Sequence, residues 1–408
     1  MPRSIFGPYG RILRVPGSAG FVVAGFFGRF PRASLSLSTV LLVGAESDSF
    51  GIAGAVAGVL VLAMAVSGPL WSRAMDRVGQ QRILLIILPL LLVTAVALMV
   101  AVTSNSPTWL WFVLAIATGL SAPDIGSAVR SRWSSVISTP ADRHTAFSLE
   151  SVADEFTFVV SPPIVTVLAA AVSPVLGFSA ALTIGTVGIV GLLLQSGTQP
   201  SIVPRAERVR TSRRPPIGVL TVVLVCVGVG VVFGSFDVTA VAFATAAKAP
   251  AVAGFTIGAF GLGSAVSAVL FGSRQWKSSL SGRFIGSALF MALLIPSLLL
   301  ATTPATLIVA AFVAGLAVAP VLISAMSVAQ SRAPEGRVTE ILAYPSVGLS
   351  IGVTLGASLA GSIFDASGYT AAFLLTAAGA AAVAILAIAS EAILRGFARP
   401  AQQLSANS

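Results

Sequence analysis

The sequence predicts an all-α integral membrane protein. It has twelve transmembrane helices in two pseudo-symmetric bundles of six, with both termini on the cytoplasmic side. Composition, the recurring length of the apolar runs and the placement of basic residues predict it. Of 408 residues, 56% are hydrophobic and 9% charged, and the mean hydropathy is +0.97. Those values lie far outside the range of soluble proteins.

A helix needs roughly 20 mostly apolar residues to cross a hydrocarbon core. Runs of that kind occupy approximately 18–43, 51–71, 82–102, 108–130, 144–170 and 174–195. A second set follows at 217–245, 252–272, 283–301, 304–329, 339–363 and 370–394. The 24 basic residues fall almost entirely on one side of these spans. They cluster at Arg3, Arg11 and Arg14, at Arg73, Arg77 and Arg82, and at Arg130, Arg132 and Arg143. The series continues through Arg205 to Arg214, then Arg274, Lys277 and Arg283, Arg332 and Arg337, and Arg395 and Arg399. Only Lys248 falls in an outer loop, and Arg29 and Arg32 lie inside the first span. This bias places both termini in the cytoplasm. The net charge of +10 is thus a topology signal, pointing to anionic lipid headgroups and away from nucleic acid. Trp71, Trp109, Trp111, Trp133 and Trp276 all sit at predicted span ends, as an aromatic belt would. The first apolar run is too long for a cleaved signal and reads as a retained helix. Arginine outnumbers lysine 22 to 2, a composition that hints at a bacterial cell membrane as the location.

The long polar stretch divides the chain into a bundle at 1–196, a central cytoplasmic loop at 197–216 and a bundle with a short tail at 217–408. The halves echo each other. "FGRF" at Phe27 to Phe30 answers "FGSF" at Phe233 to Phe236. Gly119, Leu120, Pro123, Ser131 and Arg132 answer Gly315, Leu316, Pro320, Ser331 and Arg332. Parallel repeats of this kind place a solute site between them, near mid-membrane.

Between the second and third runs lies "SRAMDRVGQQR", residues 72–82. It resembles the signature loop of the major facilitator superfamily. Asp76, Arg77 and Gly79 match, Ser72 stands where the family usually has glycine, Gln80 and Gln81 replace the usual basic pair, and Arg82 follows. Gly79 permits the positive φ of a tight turn. The resemblance implies the superfamily fold for the whole chain, and a cytoplasmic latch or gate at Asp76 and Arg77.

Charges inside the apolar runs are the candidate functional groups, because each one placed centrally costs about 2.5 to 3.5 kcal/mol. They are Arg29 and Arg32 in the first run, Asp124 in the fourth, Glu150, Asp154 and Glu155 in the fifth, and Asp237 in the seventh. Glu150 and Asp154 share a helix face. Arg29 is expected to pair with Asp154 or Glu155, leaving at least one carboxylate to carry a proton. Asp237 is expected to serve in gating, in a pair with Arg29 or Arg32, or toward a cationic substrate. Phe26, Phe27, Phe30, Phe233 and Phe236 are candidates for an apolar cavity wall. Pro162 and Pro163 bend the fifth run where antiporters of the superfamily often carry a Gly-Pro element, although Ser161 replaces the glycine.

With only Lys248 and Lys277, no phosphate-binding loop is present and the chain has no ATP motor of its own. Lone His144 and lone Cys226 make neither a metal cluster nor a disulfide. No metal, cofactor or enzymatic activity is therefore expected. The expected protein is a monomeric secondary transporter with protons, lipids and a small molecule as its partners. It would export an amphipathic compound by proton antiport, with proton-coupled uptake of a polar metabolite as the alternative. A membrane-embedded enzyme is the remote alternative.

Overall fold

A computed structural model describes residues 7–47, 49–200, 202, 217–273, 276–332 and 338–406. Arg3, most of the central loop, Arg274 and Arg337 lie outside the described residues. The described chain is helical throughout. It forms two compact units, one comprising Met1–Asp48 and Val59–Arg210, the other Ser49–Gly58 and Thr211–Ser408.

The first unit contains α1 (Gly7–Leu13), α2 (Ser18–Gly28), α3 (Phe30–Ser47), most of α4 (Phe50–Val78), α5 (Gln80–Thr103), α6 (Thr108–Ser121), α7 (Ile125–Val136), α8 (Pro140–Ala171) and α9 (Pro174–Leu193). The predicted first span is not one helix, because α2 ends at Gly28 and α3 begins at Phe30. Pro31 explains the break, since it lacks the N–H that would bond to the carbonyl of Phe27. The fourth span is divided as well, at Ala122, Pro123 and Asp124. Asp124 serves as the N-cap of α7, its carboxylate accepting the Ser127 N–H at 3.3 Å. Packing of α2 on α9 relies on close backbone approach. A side chain at Gly188 would run into the backbone of Ala24 and Gly28. Ile12, Phe21, Ile87, Trp133 and Ile189 belong to the buried core beneath this crossing.

The second unit contains α10 (Ile217–Ala246), α11 (Val252–Ser273), α12 (Leu280–Leu294), a 3-10 segment (Ile295–Leu300), α13 (Pro304–Gly315), α14 (Val318–Ser331) and α15 (Val338–Ala406). Its core runs through Val229, Phe236, Phe284, Ala311 and Phe373. α10 lies along α15 at backbone distance, with Gly352 seated against the Val227 carbonyl and Gly230. The first residues of α4 belong here too. Asp365 accepts Ser49 Oγ at 2.8 Å, the Gly51 N–H at 2.9 Å and the Phe50 N–H at 3.1 Å. A carboxylate at a helix N-terminus satisfies unpaired amides and meets the positive end of the helix dipole.

Ten helices among the described residues are long and apolar enough to cross a membrane. Two features separate this from the twelve predicted runs. The first run is split at Arg29, and the last two runs form one continuous element kinked at Gly368, whose φ of 77° only glycine adopts without strain. Gly368→Ala is expected to destabilise the protein by about 1 to 2 kcal/mol, read as a lowered unfolding temperature in detergent.

The aromatic belt needs correction. Trp133 is fully buried and Trp111 nearly so, its indole N–H donating to the Ala101 carbonyl at 3.2 Å. Each has an internal acceptor, so neither has to sit at a membrane interface to satisfy its N–H. Trp109 remains exposed.

A cavity built on three salt bridges in the first unit

Three helices bring the candidate charges together. α8 displays Glu150, Asp154 and Thr157 at spacings of four and three, along one stripe. α7 displays Arg130 and Trp133 at a spacing of three. Arg29 occupies the joint between α2 and α3, its N–H donating to the carbonyls of Gly25 and Phe26.

Arg29 Nη2 donates to Glu150 Oε2, and Trp133 Nε1 donates to Glu150 Oε1 at 2.8 Å. Arg29 Nε donates to Asp154 Oδ1 at 2.6 Å, and Arg130 Nη2 to Asp154 Oδ2 at 2.5 Å. The expected pairing of Arg29 with Asp154 or Glu155 therefore falls on Asp154, with Glu150 as a second partner. Glu155 is half-buried on the same helix and has no hydrogen bond or ion pair with any described residue.

The two pairs differ in burial. In the Arg29–Glu150 pair the side chains are 4% and 0% exposed, whereas in the Arg130–Asp154 pair they are 34% and 32% exposed. A buried pair is costly to break because it leaves a charge stranded without water. A pair one-third exposed contributes only about 0.2 to 1 kcal/mol and can exchange partners. The first is a fixed anchor and the second an exchangeable contact.

Beside them lies a cavity of about 250 Å³, lined by Arg29, Arg32, Asp124, Arg130, Asp154, Thr157 and Phe158 among others. Arg32 is exposed and has no ion pair with a described residue. Gly126 keeps the space open, since a Cβ there would approach Arg130 Nη1, Asp154 Oδ1 and Asp124 Oδ1. The expected phenylalanines do not line this cavity. Phe30 is in the core, Phe236 is buried against Phe260 with ring centroids 4.3 Å apart, and Phe233 meets Phe260 edge-on. Phe27 is exposed and clusters with Phe26 and Phe30. Asp237 lies on α10 in the second unit, half-buried and without a hydrogen bond or ion pair to a described residue.

The loop at 72–82 is tied down locally. Gly79 has φ 103°, Ser72 Oγ lies 2.9 Å from Ser127 Oγ, and Asp76, Arg77 and Arg82 are exposed. Gln80 donates to the Ala128 carbonyl at 2.8 Å and accepts Arg132 Nε at 2.8 Å. A basic residue at position 80 has no acceptor to offer, which gives a physical reason for glutamine here. Arg132 is fully buried and also donates to the carbonyls of Leu192 and Gln195, each at 2.9 Å. It caps the end of α9 and so is not a solvent-facing topology signal. In the second unit, Arg332 pairs with Glu391 and donates to the Gly218 carbonyl at 2.9 Å.

Residues 21–275 match the family described as the Major Facilitator Superfamily. The chain belongs to this superfamily. Solved members have the same fold at low identity. A peptide transporter of the POT type in complex with sulfate aligns with TM-score 0.72 and 15% identity, covering 97% of this chain and 96% of that one. The nucleoside transporter NupG aligns with TM-score 0.71 and 12% identity, covering 91% and 99%. The human organic anion transporter MFSD10 aligns with TM-score 0.61 and 14% identity, covering 91% and 100%. No curated protein matches the chain. It is a multi-pass, all-α membrane transporter of the secondary type, and not an enzyme.

Proposed function

We propose that this superfamily member is a proton-coupled transporter that carries a polar small molecule and a proton in the same direction. It works as a monomer of twelve spans, by alternating access of its two halves in a bacterial cell membrane. The twelve are nine of the ten long helices, the first run interrupted at Arg29, and the two runs that the tenth joins at Gly368. Both termini are cytoplasmic in this reading.

The observation that carries the proposal is the exchangeable Arg130–Asp154 pair beside the fixed Arg29–Glu150 pair. A proton on Asp154 releases Arg130 into the cavity, where it can donate to a substrate oxygen. A substrate that takes Arg130 removes one of the two guanidinium partners of Asp154 and so favours a proton there. Each ligand strengthens the other's binding by the same factor. Ligands that bind together cross together, and a proton gradient directed inward then drives uptake.

Export of an amphipathic compound by antiport is the second reading, favoured by Glu155. That unpaired carboxylate adjoins Phe156, whose ring lies 5.9 Å from Phe26. It can hold a proton or a cationic group but not both, which is the competition that exchange requires. Asp237 serves the same reading as a gating residue or a contact for a cationic substrate, with Asp76 and Arg77 as the cytoplasmic gate.

Proteoliposomes with an imposed pH gradient and a compound panel test both readings. Co-transport predicts accumulation when the outside is acid, collapse with a protonophore, and near wild-type flux in Glu155→Gln. Antiport predicts expulsion of preloaded compound under the same gradient and loss of flux in that variant. Flux indifferent to gradient and protonophore would exclude proton coupling altogether.

A further inference from the structure

We infer that the first-unit cavity binds a compact organic monoanion, of the monocarboxylate class, through Arg32 and Arg130, with one proton taken up on Asp154. The inference rests on the co-transport reading and names the chemistry of its substrate.

Charge balance supplies the argument. Arg29, Arg32 and Arg130 face Glu150, Asp154 and Asp124, so the cluster is neutral as it stands. A proton on Asp154 leaves one positive charge in excess. A single carboxylate restores neutrality, whereas a cation would raise the excess to two. Uncompensated charge inside a membrane protein is expensive, so the loaded site selects a monoanion. Other charges near α8 do not alter the count. Glu155 does not line the cavity, Arg11 is engaged by Asp142 at 2.7 Å, and α9 carries no charged residue.

Geometry agrees with the count. Arg29 is committed to Glu150 and Asp154, so it orients the site and does not grip the ligand. Arg32 shares the cavity with Asp124 but forms no ion pair with a described residue, and Arg130 is released when Asp154 is protonated. Guanidinium donors suit the two oxygens of a carboxylate. Ala33 and the exposed ring of Phe158 supply an apolar side to the cavity. Its volume of about 250 Å³ suits a small acid. One proton per monoanion also makes the cycle electroneutral.

Calorimetric titration of the full chain in detergent with benzoate and hexanoate, each beside its amide, tests the inference. The acids are expected to bind at least about tenfold more tightly than the amides. Their affinity falls by about tenfold per pH unit once Asp154 is ionised in the free protein, as linkage of one proton requires. Arg32→Gln loses on the order of tenfold in acid affinity without a change in unfolding temperature, because Arg32 makes no ion pair. Asp154→Asn retains binding and loses its pH dependence. Amides that bind as tightly as acids, or acid binding indifferent to pH in the wild type, would overturn the inference. If neither class binds while the compound panel shows gradient-driven flux of a neutral or cationic solute, the anion site falls and the proton-coupled reading stands. Acid binding with the expected pH slope but no gradient-driven flux would be the converse.

Discussion

Arg29→Met is expected to cost about 3 to 5 kcal/mol of stability, Glu150→Leu less, and the double variant least of all. The order follows from who is left unpaired. Without Arg29, the fully buried Glu150 keeps only the indole N–H of Trp133 and has no counter-charge. Without Glu150, Arg29 still holds Asp154. With both replaced by apolar side chains of similar volume, nothing charged is stranded, because Asp154 keeps Arg130. Replacing a buried pair in this way is often neutral or stabilising, while removing one partner is not. Thermal unfolding of the detergent-solubilised variants gives the readout, and the coupling appears as non-additivity. If the double variant loses as much as Arg29→Met, the pair is not the anchor described above.

Much of this site is legible in the sequence, for a reason of energy. A charge within an apolar run must find a partner, so Arg29, Glu150 and Asp154 stand out from their neighbours, and helical spacing puts the two acids on one face. Arg130 and Trp133 are different. Both lie near the end of a span, where a basic residue or tryptophan also satisfies the ordinary rules of membrane topology. No local signal separates a guanidinium facing a headgroup from one that turns inward to Asp154. Arg132 illustrates the same ambiguity, since its partners Leu192, Gln195 and Thr198 lie about 60 residues away at and just beyond the end of α9, and Gln80 lies almost as far away on the other side. The departure from the family pattern at position 80 was a visible clue. Its meaning required knowing what faces it.

Apolar side chains are harder still. Phenylalanines at 27, 30, 233 and 236 look alike as letters. One is exposed, one packs partly buried and two are enclosed in core. Phe158, which does line the cavity, carries no distinguishing pattern. The fold itself was legible because apolar run length and charge bias are properties of whole segments. The helix breaks at Arg29 and Asp124 depend on single prolines, and the kink in α15 on one glycine with positive φ, and segment averages pass over such residues.

The second large effect is expected in Asp154→Asn. If Asp154 carries the proton, wild-type protein in vesicles with an inward gradient of one pH unit should accumulate substrate about tenfold, since one unit is worth about 1.4 kcal/mol for one proton. The variant should reach only equal concentrations on the two sides. Exchange of labelled for unlabelled substrate across the membrane should survive within about threefold, because the neutral amide imitates the protonated acid and leaves Arg130 free to bind. Loss of accumulation with retained exchange separates coupling from binding and from folding, neither of which would leave exchange intact if lost. Glu155→Gln provides the contrast within the same helix turn. Were Glu155 the carrier, the phenotypes of the two variants would be reversed, and the unpaired carboxylate, not the exchangeable salt bridge, would set the direction of transport.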